Sequence, residues 1–315
     1  MPEGIDPARG RERWDGRTYY GRAQLKPAPF HNALVGSYVF LAGLSGGAQL
    51  LSALLDLVRG PAAEPTVRRG RYLAVLAPTL GTACLISDLH TPQRFYNMLR
   101  VFKTTSPMSF GSWLLVAFGG FGTLTAAAQF AAERTRGFGW LRGLARAVQL
   151  PAALTGAGIA TYTAALFSAT STPRWAAAPC SLAMRYAAAS IASAAAALGL
   201  GERRTAVGRD LDAVAVAALA VELAAAMSDD ASQRRAGIGD AAKPHLLGIV
   251  VPLGLFAASL LRPGRRRLLS TLAGIGVLAD SLAMRIRVLD EGDESARRPE
   301  LSMRFAQPEN LRSGG

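Results

Sequence analysis

An uninterrupted run of uncharged, mostly apolar residues constrains this sequence more than any other feature. It extends over 23 residues, from Ala33 to Leu55, and a helix needs about 20 residues to span the hydrocarbon core of a bilayer. Similar runs recur along the 315 residues, separated by short charged stretches, and half of all residues are hydrophobic. This pattern is typical of membrane proteins. The sequence therefore predicts an all-α integral membrane protein.

Eight apolar segments can be distinguished, and we predict that each forms a transmembrane helix. A polar N-terminal tail (residues 1–30) and a charged C-terminal tail (288–315) flank this membrane domain (31–287), and the stretch from Arg59 to Arg71 is interpreted as a connection. The predicted spans cover residues 33–57, 72–88, 111–132, 148–169, 179–200, 211–228, 245–261 and 268–285.

The positive charge is expected to contact lipid head groups rather than nucleic acid. The net charge is +13, and its arginines lie mostly between the apolar runs, where they set topology. Connections after odd-numbered spans carry more lysine and arginine, which predicts that those loops are cytoplasmic and both termini extracytoplasmic. The basic N-terminal tail instead favours cytoplasmic termini. Residues 1–30 lack an apolar core segment, so we expect no cleavable signal peptide.

The chain lacks the residue patterns that hold redox centres. Its two cysteines, Cys84 and Cys180, stand alone, and its histidines are His31, His90 and His245. We therefore expect no iron–sulfur cluster, no bound haem, no metal site and no catalytic residue of its own. A haem held by two of the three histidines is the alternative that the sequence leaves open.

Ionisable and aromatic residues in the predicted spans cluster toward one membrane face. Such residues are costly in lipid and by default indicate a functional site. Consecutive spans cross the membrane in opposite directions, and eight spans place both termini at one face. The ionisable and aromatic residues toward that face are His31, Asp88, Tyr162, Glu222, Asp280 and Arg285.

Four of these residues also have a purely structural interpretation. His31 and Asp88 are also compatible with simple interfacial helix ends, and Tyr162 with an aromatic residue at the membrane surface. Glu222 is equally compatible with a structural ion pair to Arg185 or Arg285.

The loop from Asp88 to Trp113 is unusually rich in cationic and aromatic residues for a connection. Cations can pair with acidic patches on a partner protein, and aromatic side chains supply apolar anchors. The residues S-P-M-S before Gly111 provide hydroxyls for the start of the next helix. A loop that only dips into lipid head groups is the alternative. The predicted docking residues are Arg94, Phe95, Tyr96, Arg100, Phe102 and Lys103.

Several stretches together resemble the family of NrfD/polysulfide reductase C-type membrane subunits. The most specific is D-L-H-T-P-Q-R-F-Y-N-M-L-R-V-F-K-T-T-S-P-M-S-F-G-S-W, which begins at Asp88. The others are Y-Y-G-R from Tyr19, F-L-A-G-L-S-G-G in the first span, A-T-Y-T-A-A-L-F-S-A-T-S-T-P-R-W from Ala160, and M-R-I-R-V followed by E-S-A-R-R-P near the C-terminus.

The resemblance implies two four-helix bundles in a bacterial cytoplasmic (inner) membrane, without a redox cofactor bound to the chain. It implies electron exchange between an exchangeable quinone, menaquinone or ubiquinone, and a four-cluster ferredoxin-like iron–sulfur subunit, itself connected to a catalytic, molybdopterin-type subunit. Carried onto this sequence, the quinone-binding residues are His31, Asn32, Asp88 and Tyr162. The proposed proton route uses Asp88, Glu222 and Asp280.

Two rival functions remain at this point. A transporter or proton channel would use buried carboxylates as substrate sites, and it predicts polar residues in both membrane halves together with broken helices. A structural anchor would only hold a soluble oxidoreductase at the membrane.

Overall fold

The chain is mostly helical in the part that the computed structural model describes, residues 25–89, 91–135, 139–236, 238 and 246–305. No strand occurs within those ranges. The α-helices are α1 (Asn32–Arg59), α2 (Glu64–Ser87), α3 (Pro107–Arg134), α4 (Gly139–Ser168), α5 (Pro173–Ala176), α6 (Pro179–Leu200), α7 (Thr205–Arg235), α8 (Leu247–Leu261), α9 (Arg266–Arg297) and α10 (Pro299–Phe305). Short 3₁₀-helices cover Gly60–Ala63, Pro92–Leu99 and Pro263–Arg265.

Five helical segments of the described chain are long and apolar enough to cross a membrane. The first of them contains both α1 and α2, which the 3₁₀-helix Gly60–Ala63 joins, and α8 is a shorter apolar helix. The five segments are Asn32–Ser87, Pro107–Arg134, Gly139–Ser168, Pro179–Leu200 and Thr205–Arg235.

Large apolar side chains cover the outside of the long helices. Leu76 on α2, Leu154 on α4 and Leu272 on α9 are 62%, 76% and 50% exposed. In water such an apolar surface would be unfavourable, whereas in a bilayer it contacts lipid tails. The exposed surface agrees with an integral membrane protein.

The long helices pack as two groups of neighbours around α1. In the first helix group α1 packs against α2 and α4, and α3 packs against α2 and α4. In the second helix group α6 packs against α7 and α9, and α8 packs against the same two helices. α1 also contacts α6 and α9, so it lies where the two groups meet.

Glycines set the distance between α1 and its neighbours. A Cβ on Gly46 would lie 2.2 Å from the backbone oxygen of Gly156 on α4, and a Cβ on Gly47 would lie 2.6 Å from that of Ser190 on α6. Because real Cβ atoms never approach backbone so closely, only glycine allows these contacts. Small residues in the first span thus let the helices approach closely, as is common between membrane helices.

Helix α2 begins earlier than predicted, which corrects the interpretation of Arg71. The helix begins at Glu64, with Pro65 in its first turn, where proline and an acidic side chain are both favourable. Arg71 therefore lies two turns inside α2 and is 2% exposed. Its assignment to the connection between the first two spans is wrong, because Arg71 belongs to α2. At the other end of the chain, α9 continues to Arg297, into the region interpreted as a tail.

Candidate functional site

Asp88 and His31 meet where the end of α2 reaches the beginning of α1. Asp88 is the residue that ends α2, and its Oδ1 accepts a hydrogen bond from the backbone N–H of His31, at 2.9 Å. A carboxylate at a helix N-terminus satisfies an unpaired N–H group and interacts favourably with the helix dipole. Asp88 is half-buried and His31 is exposed. Asp88 and His31, two residues whose side chains can transfer protons, are thus neighbours in the structure.

Tyr162 lies at the same end of the first helix group, against the first turns of α3. Its hydroxyl donates a hydrogen bond to the backbone oxygen of Pro107, at 2.8 Å. A Cβ on Gly111 would lie 1.8 Å from the ring of Tyr162, so the ring occupies the space above this glycine. Gly111, which has no side chain, therefore allows the ring of Tyr162 to lie at this position.

Replacing Gly111 with alanine should displace Tyr162 and break its bond to Pro107. If Tyr162 binds quinone, quinol-linked turnover should fall at least about tenfold, because a misplacement of about 1 Å is costly in catalysis. The matched control is Gly119→Ala, also on α3, whose Cβ would meet no atom within 4 Å. Turnover in membranes containing equal amounts of each variant is the measurement; equal turnover of the two would show that the position of Tyr162 is unimportant.

Asn32 contacts α9 rather than Asp88 or Tyr162. Its Nδ2 donates to Asp290 Oδ1 at 2.7 Å and to Asp293 Oδ2 at 3.0 Å. Its Oδ1 is buried and has no hydrogen-bond partner among the described residues. The amide thus joins the two helix groups through its nitrogen, and its oxygen can accept a further hydrogen bond.

Glu222 and Asp280 lie in the second helix group. Glu222 on α7 is 3% exposed, and no described residue forms an ion pair or hydrogen bond with its side chain. The alternative of an ion pair with Arg185 or Arg285 is therefore wrong for this structure. Asp280 has a partner, since Arg287 lies 3.0 Å from its Oδ1.

Arg285 is held by hydroxyls and aromatic rings instead of a carboxylate. It is 1% exposed, and its Nη2 donates to the Ser190 hydroxyl at 2.9 Å. Its Cζ lies 5.3 Å from the centre of the Tyr186 ring and 5.9 Å from that of Phe40. The guanidinium thus stabilises the contact between α1, α6 and α9 through cation–π contacts.

The segment from residue 91 to 103 is exposed at every residue except Leu99, which is half-buried. It contains the 3₁₀-helix Pro92–Leu99, and Ser109 holds its end by accepting from the Lys103 N–H and donating to the Val101 oxygen, both at 3.0 Å. Ser106 begins α3 and accepts from the Ser109 N–H at 3.4 Å, which confirms the predicted helix-start hydroxyl. The predicted docking residues are all exposed: Arg94, Phe95, Tyr96, Arg100, Phe102 and Lys103.

Two further predictions lie outside the described residues. They concern His90 and His245, on which the haem alternative depends, and the Y-Y-G-R stretch that begins at Tyr19.

A buried polar network that the sequence did not predict lies at the opposite end of the first helix group. Arg71 donates to Gln149 Oε1 at 2.7 Å and to the side-chain oxygen of Gln129, and its Nη2 lies 3.4 Å from Asp56 Oδ2. Gln149 also donates to Asp56, at 2.9 Å. Each of α1, α2, α3 and α4 contributes one residue. The Glu-Pro pair that begins α2 was the one signal that could have placed Arg71 inside a helix.

The same end of the molecule carries polar contacts in the second helix group. Asp212 on α7 is 1% exposed and lies 3.0 Å from Arg266 Nη1. Arg59 at the end of α1 forms a two-pronged pair with Asp210, with both contacts at 2.7 Å. Buried polar residues therefore occur at both ends of the helices, and the expectation that they cluster at one face is wrong.

Glu202 joins the helix groups in the connection between α6 and α7. It accepts hydrogen bonds from the Thr66 hydroxyl and the Arg204 N–H and pairs with Arg69 at 2.9 Å. Burial raises its pKa, but these bonds and the two nearby arginines outweigh burial, and the pKa lies below its usual value. The carboxylate stays charged and holds the connection against α2.

Comparison with known proteins identifies the family of this chain. The family described as polysulphide reductase, NrfD, matches residues 22–226, about two thirds of the chain. The C subunit of polysulfide reductase from Wolinella succinogenes is 31% identical over 87 residues, a match that covers 27% of each protein, so the similarity spans about a quarter of that relative's length. Together with its apolar helices, the match over most of its length establishes this chain as an integral membrane protein that belongs to the polysulphide reductase NrfD family.

Proposed function

We propose that this protein is the quinone-binding membrane subunit of a respiratory oxidoreductase, passing electrons between the quinone pool and an iron–sulfur partner. The observation that carries the proposal is the contact between Asp88 and the start of α1 at His31, next to an exposed cationic and aromatic segment. Oxidation of a quinol releases two protons and two electrons, so its site needs hydrogen-bond partners and a proton acceptor.

The candidate residues have chemistry suited to a quinone head group. Asp88, or the exposed imidazole of His31, accepts a proton. The Tyr162 hydroxyl donates to Pro107 and keeps its oxygen available to accept a bond from a quinol hydroxyl. The buried Oδ1 of Asn32, which has no partner among the described residues, is a second acceptor.

In the proposed arrangement, eight helices cross a bacterial inner membrane as two four-helix bundles, with the quinone end extracytoplasmic. The packing of α1–α4 and of α6–α9 around α1 supports two bundles. α8 and α9 complete the count of spans. A proton route through Asp88, Glu222 and Asp280 is part of the proposal, and the buried, unpaired state of Glu222 within the described structure supports it.

The partner is proposed to dock on the segment from residue 91 to 103. Its exposed cations and rings suit an acidic iron–sulfur subunit of the four-cluster ferredoxin type, which in turn contacts a molybdopterin-carrying catalytic subunit. No ion pair occupies Arg94 or Arg100 within the described part of the chain, so both are available to a partner.

Reversing the charge of Arg94 and Arg100 should release this partner from the membrane. The double variant Arg94→Glu and Arg100→Glu places carboxylates against an acidic surface, where like charges repel. The control is Arg203→Glu with Arg209→Glu, two exposed arginines at the opposite end of the helices. Membranes are washed with salt and the bound iron is measured. Iron retained by the first variant at the level of the control would contradict docking at this segment.

The function itself is tested by purifying the full chain from membranes with its bound subunits, then extracting quinone and measuring iron. A quinone-binding subunit should yield both quinone and cluster iron. Iron without quinone would indicate a structural anchor. The absence of both quinone and iron would favour a transporter, which is the second candidate. The buried polar networks at both ends of the helices support that candidate.

A further inference from the structure

One face of α1 points into the centre of the first helix group along most of the helix. Ala42, Ser45, Gln49, Ser52 and Asp56 follow one another at spacings of three and four residues, which places them on a single helical face. The first four are buried, and the side chain of Asp56, near the end of the helix, is 5% exposed. The polar members of this face are thus turned away from lipid.

Both ends of this face have partners from the other three helices. At one end Ala42 packs in a layer with Ala74 on α2, Phe118 on α3 and Ile159 on α4. At the other end Asp56 joins the Arg71 network. Gln49 is seven residues from both Ala42 and Asp56, about 10 Å along the helix. It therefore faces the interior between an apolar layer and a charged network.

Gln49 is the residue that this interior leaves unsatisfied. Its exposure is 0%, and neither Nε2 nor Oε1 has a hydrogen-bond partner among the described residues. The flanking hydroxyls do not serve it, because Ser45 and Ser52 donate to the backbone oxygens of Ala42 and Ala48 at 2.7 Å. A buried amide without partners is unfavourable, and in native proteins such groups bind protein or water.

The facing side of α3 presents a glycine and a further polar atom. Phe118, Gly122, Thr125 and Gln129 share one face of α3, which begins at the apolar layer and ends in the Arg71 network. Gly122 is buried and has no side chain; a Cβ built on it would lie 4.0 Å from the backbone oxygen of Ala74 and from Val75 on α2, an ordinary contact distance. Thr125 is 0% exposed, and its hydroxyl donates to the Phe121 oxygen, which leaves its own oxygen able to accept.

We propose that Gln49 binds internal water in the centre of the first helix group. A water molecule there donates to Oε1 and to the hydroxyl oxygen of Thr125, and it accepts from Nε2. The polar network at the opposite end is thereby extended to the middle of the membrane. The layer around Phe118 separates this water from the His31–Asp88 end. The proposal does not depend on quinone binding.

Hydroxyl-radical footprinting by X-ray radiolysis tests this water directly. Radiolysis of a bound water oxidises the side chains next to it, even where these have no access to solvent. The reporter is Phe118, which is 0% exposed. Its ring lies against Gly156 on α4, and Gly156 in turn contacts Gly46, one helical turn before Gln49 on α1. The control is Phe256, 2% exposed in the apolar core of the second helix group. The full chain is irradiated with its bound subunits and analysed by mass spectrometry.

Phe118 should be oxidised several-fold faster than Phe256 in the wild-type protein. Gln49→Leu, which cannot bind water, should bring Phe118 down to the rate of Phe256, and Gln49→Asn should keep most of the difference. Equal, slow oxidation of both phenylalanines in the wild type would overturn the proposal. So would undiminished oxidation of Phe118 in Gln49→Leu. If that variant misfolds, which fast oxidation of Phe256 would reveal, the wild-type comparison decides.

Discussion

Asp88→Asn is expected to lower quinol-linked turnover by about 10²- to 10⁴-fold, the usual contribution of a general base, while the chain still assembles. The asparagine oxygen can still accept the hydrogen bond from the His31 N–H that Asp88 accepts at 2.9 Å. The contact between α1 and α2 is therefore kept, and only the ability to take a proton is lost. Turnover is measured with a quinol analogue in membranes that contain equal amounts of the chain.

The control for this variant is Glu294→Gln. Glu294 lies near the C-terminal end of α9, and its side chain is 62% exposed. It removes one negative charge without touching His31, Tyr162 or Asn32. Tyr162→Phe is a companion variant that removes the hydroxyl and its bond to Pro107. Quinol-linked turnover at the wild-type level in Asp88→Asn would exclude Asp88 as the proton acceptor, whereas loss in Glu294→Gln alone would indicate a general effect of charge.

Asp56→Ala is expected to destabilise the protein by about 3–5 kcal/mol, the usual cost of leaving one member of a buried ion pair without its partner. The side chains of Asp56 and Arg71 are 5% and 3% exposed. Without Asp56, Arg71 retains only amide oxygens, those of Gln129 and Gln149, and its charge stays buried. The measurement is the thermal unfolding midpoint of the detergent-solubilised protein, together with the fraction that remains monodisperse.

A second partner of Asp56 provides the matched control. Arg146 lies 3.3 Å from the same carboxylate, but its side chain is 55% exposed. Arg146→Ala should cost less than about 1 kcal/mol because water solvates and screens exposed ion pairs. The double variant Asp56→Leu with Arg71→Met should be more stable than Asp56→Ala, since it leaves no buried charge. Equal destabilisation by Asp56→Ala and Arg146→Ala would show that burial does not set the cost.

The local features of the fold were predictable because they depend on neighbouring residues. Long uncharged runs predicted apolar helices, and five segments meet the requirements for crossing a membrane. Ser106 before Pro107 predicted a helix start, and the structure confirms it. The loop motif beginning at Asp88 indicated the family, which the match over residues 22–226 confirms.

The partners of buried polar side chains were not predictable from the sequence in the same way. Asn32 was assigned to quinone, yet its nitrogen binds two carboxylates more than 250 residues away. An ion pair with Arg185 or Arg285 was one interpretation of Glu222, yet its side chain has no ion pair within the described structure. Hydropathy reports how apolar a stretch is, but it does not report which residue of another helix stands opposite.

By itself, the sequence determined that this protein is helical, lies in a membrane and belongs to the NrfD family, because chain length, hydrophobicity and local motifs are properties of contiguous residues. Only the tertiary structure decided that Asp88 receives the N–H of His31, that Arg71 is buried among Asp56, Gln129 and Gln149, and that Gln49 is left without a protein partner among the described residues. The reason is geometric. A side chain's hydrogen bonds depend on the rotation and spacing of helices, which small residues such as Gly46 and Gly111 set through contacts between distant parts of the chain.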